Sequence, residues 1–281
     1  MAQHKWDSTD ISDQNGRVAI VTGSSSGIGF ETARVLAVKN ATVIIAVRNL
    51  EKGNKAADKI KDDVPKADLK VMELDLASLK SVRTFSEKFR KEYSRLDLLI
   101  NNAGVGMGDY FDNLPHEFYE KMMVLNMVSL VCLTRLFLPE LKRSSTASIL
   151  NSGSLAGFFP SPYKSVYAAS KSFVNMFSLA LREELCRSGV SVSVLCPGSV
   201  LTNDAVKKRV PKNGYLARAA VLSSERVART ALNNMEKGKA LIIPGFVNKL
   251  YYFTGFAFPF KLRVKFLSRL FRKYYLSGNG N

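Results

Sequence analysis

Acidic residues are almost missing from the final stretch of this chain. After Asp204 only Glu225 and Glu236 stand against 16 Lys or Arg, so +14 of the formal net charge of +17 is placed there. Cysteine is scarce too: Cys132, Cys186 and Cys196, with no paired spacing, exclude a disulfide framework and suit a reducing compartment. The two histidines, His4 and His116, cannot build a familiar metal cluster. Met1 to Arg17 has no apolar core of a secretory leader, so none is expected there. Leu250 to Phe260 is uncharged but only 11 residues long and contains Pro259, too short to span a bilayer. What is plentiful is apolar residue, 46% of 281, enough for one sizeable core of α/β type.

The order of elements is regular. Arg17 to Thr22 is a β-branched run that passes straight into Gly23-Ser24-Ser25-Ser26-Gly27-Ile28-Gly29. A glycine turn between strand and helix lets backbone approach a pyrophosphate, whose charge suits the free N–H groups of the helix start. Phe30 to Lys39 has helical spacing, with Asn40 able to end it in the left-handed conformation. Further strands are expected at Ala41 to Val47, Leu69 to Leu74, Leu96 to Ile100, Ala147 to Leu150, Val190 to Leu195 and Ala240 to Ile243. Helices are expected from Asn49 to about Lys61, Ser78 to Tyr93, Phe118 to Leu141 and around Tyr167. This alternation argues a parallel sheet covered on both faces, with ligands at the carboxyl ends of its strands.

Two details bear on chemistry. The second strand ends in Val47 without an acid and is followed by Arg48-Asn49. An acid there would bond ribose hydroxyls, whereas an arginine fork suits a 2′-phosphate, so NADPH is expected over NADH. The alternative is a solvated Arg48 beside the helix cap Asn49. Tyr167 and Lys171 stand four apart on a helix, and an ammonium near a phenol draws its pKa down. Ser154, just past the Ala147 to Leu150 strand, could hold a substrate oxygen beside that phenol.

Taken together, Thr22-Gly23-x-x-x-Gly27-x-Gly29, Asn101-Asn102-Ala103-Gly104, Asn126, Ser154, Tyr167-x-x-x-Lys171 and Pro197-Gly198-x-Val200-x-Thr202 resemble the short-chain dehydrogenase/reductase family over roughly Arg17 to Gly245. The resemblance implies a Rossmann doubly wound parallel sheet of about seven strands in a domain over 1–245. It implies catalysis by Asn126, Ser154, Tyr167 and Lys171: Tyr167 exchanging a proton with the substrate oxygen, Ser154 hydrogen-bonding that oxygen, Lys171 holding the nicotinamide ribose, Asn126 positioning water. NADP(H) would lie on Gly23, Ser25, Ser26, Gly27, Ile28 and Gly29 of the turn, with Arg48 and Asn49, Asp75 and Leu76, Asn102, Ala103 and Gly104, and finally Pro197, Gly198, Val200 and Thr202. Alternatives stay open: Asp75 as cap of the Ser78 helix, Asn126 as a buried core amide, Cys196 as a small buried hydrophobe. Family members commonly pair through the helices here at Phe118 to Leu141 and Ser165 to Arg187, so a homodimer or homotetramer is expected.

Residues 246–281 depart from many soluble members. Phe246 to Phe260 is aromatic, and Lys261 to Tyr275 places Leu262, Phe266, Leu267, Leu270, Phe271 and Tyr274 on one helical face with basic residues largely off it. Such a C-terminal amphipathic helical extension suits a membrane interface, a lid over the pocket, or packing on the domain. No recognised nucleic-acid-binding motif accompanies the basic residues. Phe158, Phe159, Pro160, Pro162 and Tyr163 would line one pocket wall, pointing to a hydrophobic, lipid-like ketone or alcohol met at the cytoplasmic face of a membrane. The sequence from Ser154 to Gly189 is similar to reductases of ketoacyl, sphingoid and steroid substrates, and the N-terminal third to retinol dehydrogenases. A non-catalytic NADPH-binding regulator is the reading from another class.

Overall fold

In the computed structural model, residues 11–201 and 219–257 are described, together with positions 259, 261, 262, 264, 265, 268, 269 and 272. Thr202, like most of the 258–275 segment, lies outside them. Seven parallel strands form the main sheet: β1 (Val18–Thr22), β2 (Thr42–Val47), β3 (Leu69–Glu73), β4 (Leu98–Asn101), β5 (Ala147–Ser152), β6 (Val190–Leu195) and, numbered after a small outlying pair, β9 (Leu241–Ile242). Their spatial order is β3-β2-β1-β4-β5-β6-β9. The order reverses between β1 and β4, where a doubly wound sheet opens a crevice at the strand carboxyl ends.

Burial on both faces explains why the strands read as continuous apolar runs rather than alternating ones. Neighbouring residues enter opposite cores. Ala19, Val21, Val43, Ile45, Leu98 and Ile100 pack on one face with α1 (Gly27–Val38), α2 (Leu50–Asp63) and α7 (Ser224–Glu236). Ile20, Ile44, Leu99 and Ile149 pack on the other with α3 (Leu79–Glu92) and α5 (Ser129–Leu141). Local chemistry sets the helix starts: Asn49, Ser78 and Ser223 accept from the Lys52, Ser81 and Arg226 amides. Val82, Phe85 and Phe89 then supply the buried stripe of α3.

The helix expected over Phe118 to Leu141 is interrupted. α4 (His116–Met123) joins α5 through a π-helical turn, Val124–Val128. By length and composition this run could cross a membrane, yet Leu133, Phe137 and Leu141 are buried against the sheet, as in a core helix. Three elements were not anticipated from sequence: the 3₁₀ turn Leu155–Phe158, the helix α7, and the pair β7 (Val200–Leu201) and β8 (Leu222–Ser223). Beyond α6 (Ser165–Glu184) and β9 comes α8 (Phe246–Ala257), which packs by one face on the domain. Its Tyr252 ring meets Phe158 at 4.8 Å, and Phe256 meets Phe159 at 5.6 Å.

Candidate active site

Every strand end along the crevice contributes. Gly23 and Gly27 adopt the left-handed region, with φ of 65° and 60°, and a Cβ on Gly23 would lie 2.9 Å from that of Ala103. Only glycine permits this turn to lie against the loop after β4. The Thr22 hydroxyl accepts from the amides of Asn102 and Ala103, and the Asn102 carboxamide donates to the Thr22 carbonyl. Asn102 thus braces the turn. Ser26 is the N-cap of α1, yet its side chain makes no capping bond and no acid occupies the first turn. The start of α1 therefore keeps its N–H groups and positive end for an anion, unlike α2 and α3 with their filled caps.

Arg48 is exposed at the end of β2, while the Asn49 carboxamide is taken up in capping α2. Asp75 does not cap α3, which Ser78 does; its Oδ1 accepts from the Ala77 amide in a local turn. Leu76 beside it is buried, and its carbonyl accepts from the Ser129 hydroxyl. These groups, with Asn102, Ala103 and Gly104, could hold a dinucleotide: an open helix start for pyrophosphate, an exposed cationic fork after the second strand, and the small or apolar side chains Leu76 and Ala103 after the third and fourth.

α6 presents Tyr167, Lys171 and Asn175 one turn apart on a single face. The Ser154 hydroxyl faces the Tyr167 phenol and acts to lower its pKa. Lys171 is buried and donates from Nζ to the Ser152 carbonyl at 2.7 Å. Burial pushes the Tyr167 phenol above its ordinary pKa, and the Ser154 hydroxyl works against that rise. The lowering by Lys171 expected from the four-residue spacing does not occur: burial raises the phenol, and the influence that opposes it comes from Ser154. Burial also draws Lys171 down to about 8. Cys196 is fully buried with its thiol pushed up to about 12 by burial, which makes it inert as a nucleophile.

Asn126 sits in the π turn, 2% exposed. Its Oδ1 accepts from the Val105 amide, while Nδ2 donates to the Val105 carbonyl at 2.9 Å and to the Ser170 hydroxyl at 3.0 Å. The extra backbone residue of a π turn re-aims a side chain, here onto the loop after Gly104. That loop continues through Gly106, whose backbone lies so close to the Tyr167 ring that a Cβ would come within 2.5 Å. Pro197 accepts from the Leu155 amide and joins the segment after β6 to the Ser154 segment. Gly198 abuts Asn248 of α8, whose Nδ2 donates to the Ala220 and Pro244 carbonyls. Val200 is half-buried in β7. Sequence reasoning missed Gly106, Asn175 and Asn248, since each acts through contacts distant along the chain.

The profile of the short chain dehydrogenase family matches residues 17–213. Retinol dehydrogenase 12 of Mus musculus is 35% identical over 213 residues, covering 72% of this chain and 65% of that protein. Retinol dehydrogenase 13 of Homo sapiens is 36% identical over 200 residues, covering 66% of this chain and 60% of that protein. The chain thus spans under two thirds of the length of these relatives. A solved structure, the short-chain dehydrogenase from Sphingobium yanoikuyae in complex with NADPH, superposes with a TM-score of 0.72 at 27% identity, over 82% of this chain and 88% of that one.

Proposed function

We propose that this chain, which belongs to the short-chain dehydrogenase/reductase family, is an NADPH-dependent oxidoreductase that interconverts a carbonyl and an alcohol on a hydrophobic, lipid-like substrate. The observation that carries the reading is the Tyr167 phenol facing the Ser154 hydroxyl, with Lys171 one turn along the same face of α6. A phenol whose pKa is raised is protonated throughout the neutral range, which suits donation to a carbonyl oxygen in the reductive direction. Ser154 would share that oxygen and oppose the charge growing on it. Lys171 would hold the ribose, and Asn126 would keep the Val105 loop in place and order water for proton resupply. The nicotinamide would supply hydride to the carbonyl carbon; Arg48 would engage the 2′-phosphate, and the α1 turn the pyrophosphate.

Phe158 and Phe159, backed by Tyr252 and Phe256 of α8, support an apolar substrate wall. A 3-ketosphinganine or long-chain ketoacyl compound fits a single polar corner beside an extended apolar wall. The names of the retinol dehydrogenase relatives favour a retinoid as second reading. The outer face of α8 supports a seat on the cytoplasmic face of a membrane: Phe246, Leu250 and Phe253 are 80%, 51% and 69% exposed, and Lys249, Lys261, Lys265, Arg269 and Arg272 are exposed around them. Met123, Val128, Phe173 and Met176, exposed on α4 to α6 and the turn between, support pairing of two or four copies.

The test is NADPH oxidation across detergent-dispersed 3-ketosphinganine, a steroid ketone, retinal and a small soluble ketone, with NADH as control. Turnover confined to one lipid ketone with NADPH establishes the reading. Turnover of the soluble ketone alone overturns the lipid part, and NADPH binding without turnover across the panel moves the chain to a regulator. For the membrane part, Phe253→Asp should release the protein from sedimenting phosphatidylserine vesicles; equal sedimentation of both forms refutes it.

A further inference from the structure

Tyr167 and Lys171 have a third partner on their face of α6. Asn175, with no exposed surface at all, closes on the peptide of Ser154 from both sides. Its Oδ1 accepts from the Ser154 amide at 3.4 Å, and its Nδ2 donates to the Ser154 carbonyl at 3.1 Å. The same Oδ1 accepts from the Cys196 thiol at 3.2 Å. The neighbouring backbone is shaped around this amide. A Cβ on Gly153 would come within 2.0 Å of its Oδ1, and one on Gly157 within 2.7 Å of its Nδ2. Ser154 itself is extended, with φ −166° and ψ 152°, and its hydroxyl also accepts from the Ala156 amide.

We propose that Asn175 is a positioning residue for the reaction: it fixes the Ser154 peptide so that the hydroxyl reaches the Tyr167 phenol, and with it the place of the substrate oxygen. The inference rests on the reading of Ser154 and Tyr167 as the oxygen-binding pair. A short side chain such as serine has one rotatable bond between backbone and hydroxyl, so its oxygen goes where its peptide is held. α6 thereby carries the proton donor and also aligns the donor's partner, through a clamp two turns beyond Tyr167. Among the described residues, the titratable groups nearest this pair are the Cys196 thiol after β6, which acts on the phenol, and Lys171 on the same helix, which acts on Cys196.

Asn175→Ala tests it. The kcat for ketone reduction falls about tenfold to a hundredfold, as expected for a small misplacement of a reacting group, while the Kd for NADPH is unchanged. The basic limb of the kcat profile moves to higher pH, because reduction needs the protonated phenol and the Ser154 hydroxyl that holds its pKa down is displaced. A second readout needs no substrate: ultraviolet titration of the phenol, taken as the difference between each protein and its Tyr167→Phe counterpart, has a higher midpoint in Asn175→Ala. A lower thermal midpoint with kcat, pH limb and phenol titration all unchanged overturns the proposal in favour of a purely structural amide. Should Asn175→Ala not fold, Asn175→Asp decides. It keeps the acceptor and, when protonated, a donor to the Ser154 carbonyl, so its kcat relative to the parent protein rises as pH falls, and a flat ratio of one overturns the proposal. A parent protein without turnover on any ketone refutes the activity reading, and the phenol titration then decides for Asn175 alone.

Discussion

Replacing Arg48 by alanine separates the two nicotinamide cofactors by a predictable amount. The guanidinium stands at the carboxyl end of β2, next to the glycine turn, whose Gly23 amide donates to the Ala46 carbonyl at 2.9 Å. The nearest acid along the chain, Glu51, is already engaged by Lys55 at 2.6 Å. A charge-assisted contact to phosphate is worth about 1.5–3 kcal/mol. Because Arg48 is exposed, water and salt screen it, and the lower end of that range applies. About 1.5 kcal/mol is roughly tenfold in Kd. The expected outcome of a fluorescence titration is a Kd for NADPH about tenfold higher in Arg48→Ala, an unchanged Kd for NADH, and a difference that shrinks as salt is added. An exposed substitution of this kind moves stability by no more than about 0.5 kcal/mol, so unfolding does not confuse the assay. Equal weakening of both cofactors, or of neither, refutes the assignment of Arg48 to the 2′-phosphate.

Tyr167→Phe should lower kcat by about 10²–10⁴-fold with NADPH binding intact, measured by stopped-flow and by titration, and turnover near the parent level would sink the proton-donor role. Lys171, drawn down to about 8 by burial, has an unfolded value near ~10.4. Between the two the unfolded chain holds the extra proton, so stability from this group rises as pH climbs from about 8 to about 10.4, and below 8 the buried charge opposes folding throughout. Lys171→Met should accordingly raise the urea midpoint at pH 7, despite the lost Ser152 bond, with the gain fading toward pH ~10; a lower midpoint at pH 7 contradicts this. Phe137 is fully buried between Phe85 and Phe89, with ring centres at 5.9 and 5.1 Å. Phe137→Ala should cost about 3–5 kcal/mol in urea unfolding, and a loss under 1 kcal/mol, roughly that of a surface change, would disprove its place in the core.

The sheet was legible because its strands are short apolar runs bounded by glycine and asparagine, and β6 was placed to the residue at Val190–Leu195. Tyr167, Lys171 and Ser154 were legible because their spacing carries the chemistry. The π turn was not, since Val124 to Val128 has the same apolar period as the helices beside it and the extra residue is fixed by Asn126 bonding to Val105, twenty-one positions away. Nor was the direction of the Tyr167 shift: helical spacing suggested a lowering by Lys171, but burial, to which the Gly106 backbone against the ring contributes, raises the phenol instead. Helix α7 escaped notice because its Arg226 and Arg229 read as part of a basic tail, although Val227, Ala231 and Leu232 complete the core over α1.

The strand order β3-β2-β1-β4-β5-β6-β9 has a bearing on birth as well as on function. Counted outward from β1, each new strand pairs with one already made: β2 and then β3 on one side, β4, β5, β6 and β9 in turn on the other. A chain leaving the ribosome can therefore lengthen its sheet strand by strand without unpicking an earlier pair. The turn that would cradle the pyrophosphate is complete once β4 has docked, whereas Tyr167 and α8 come much later. The nascent protein gains a nucleotide cradle before it gains a proton donor, and the reactive corner is closed only when Tyr252 and Phe256 settle on the Phe158 turn.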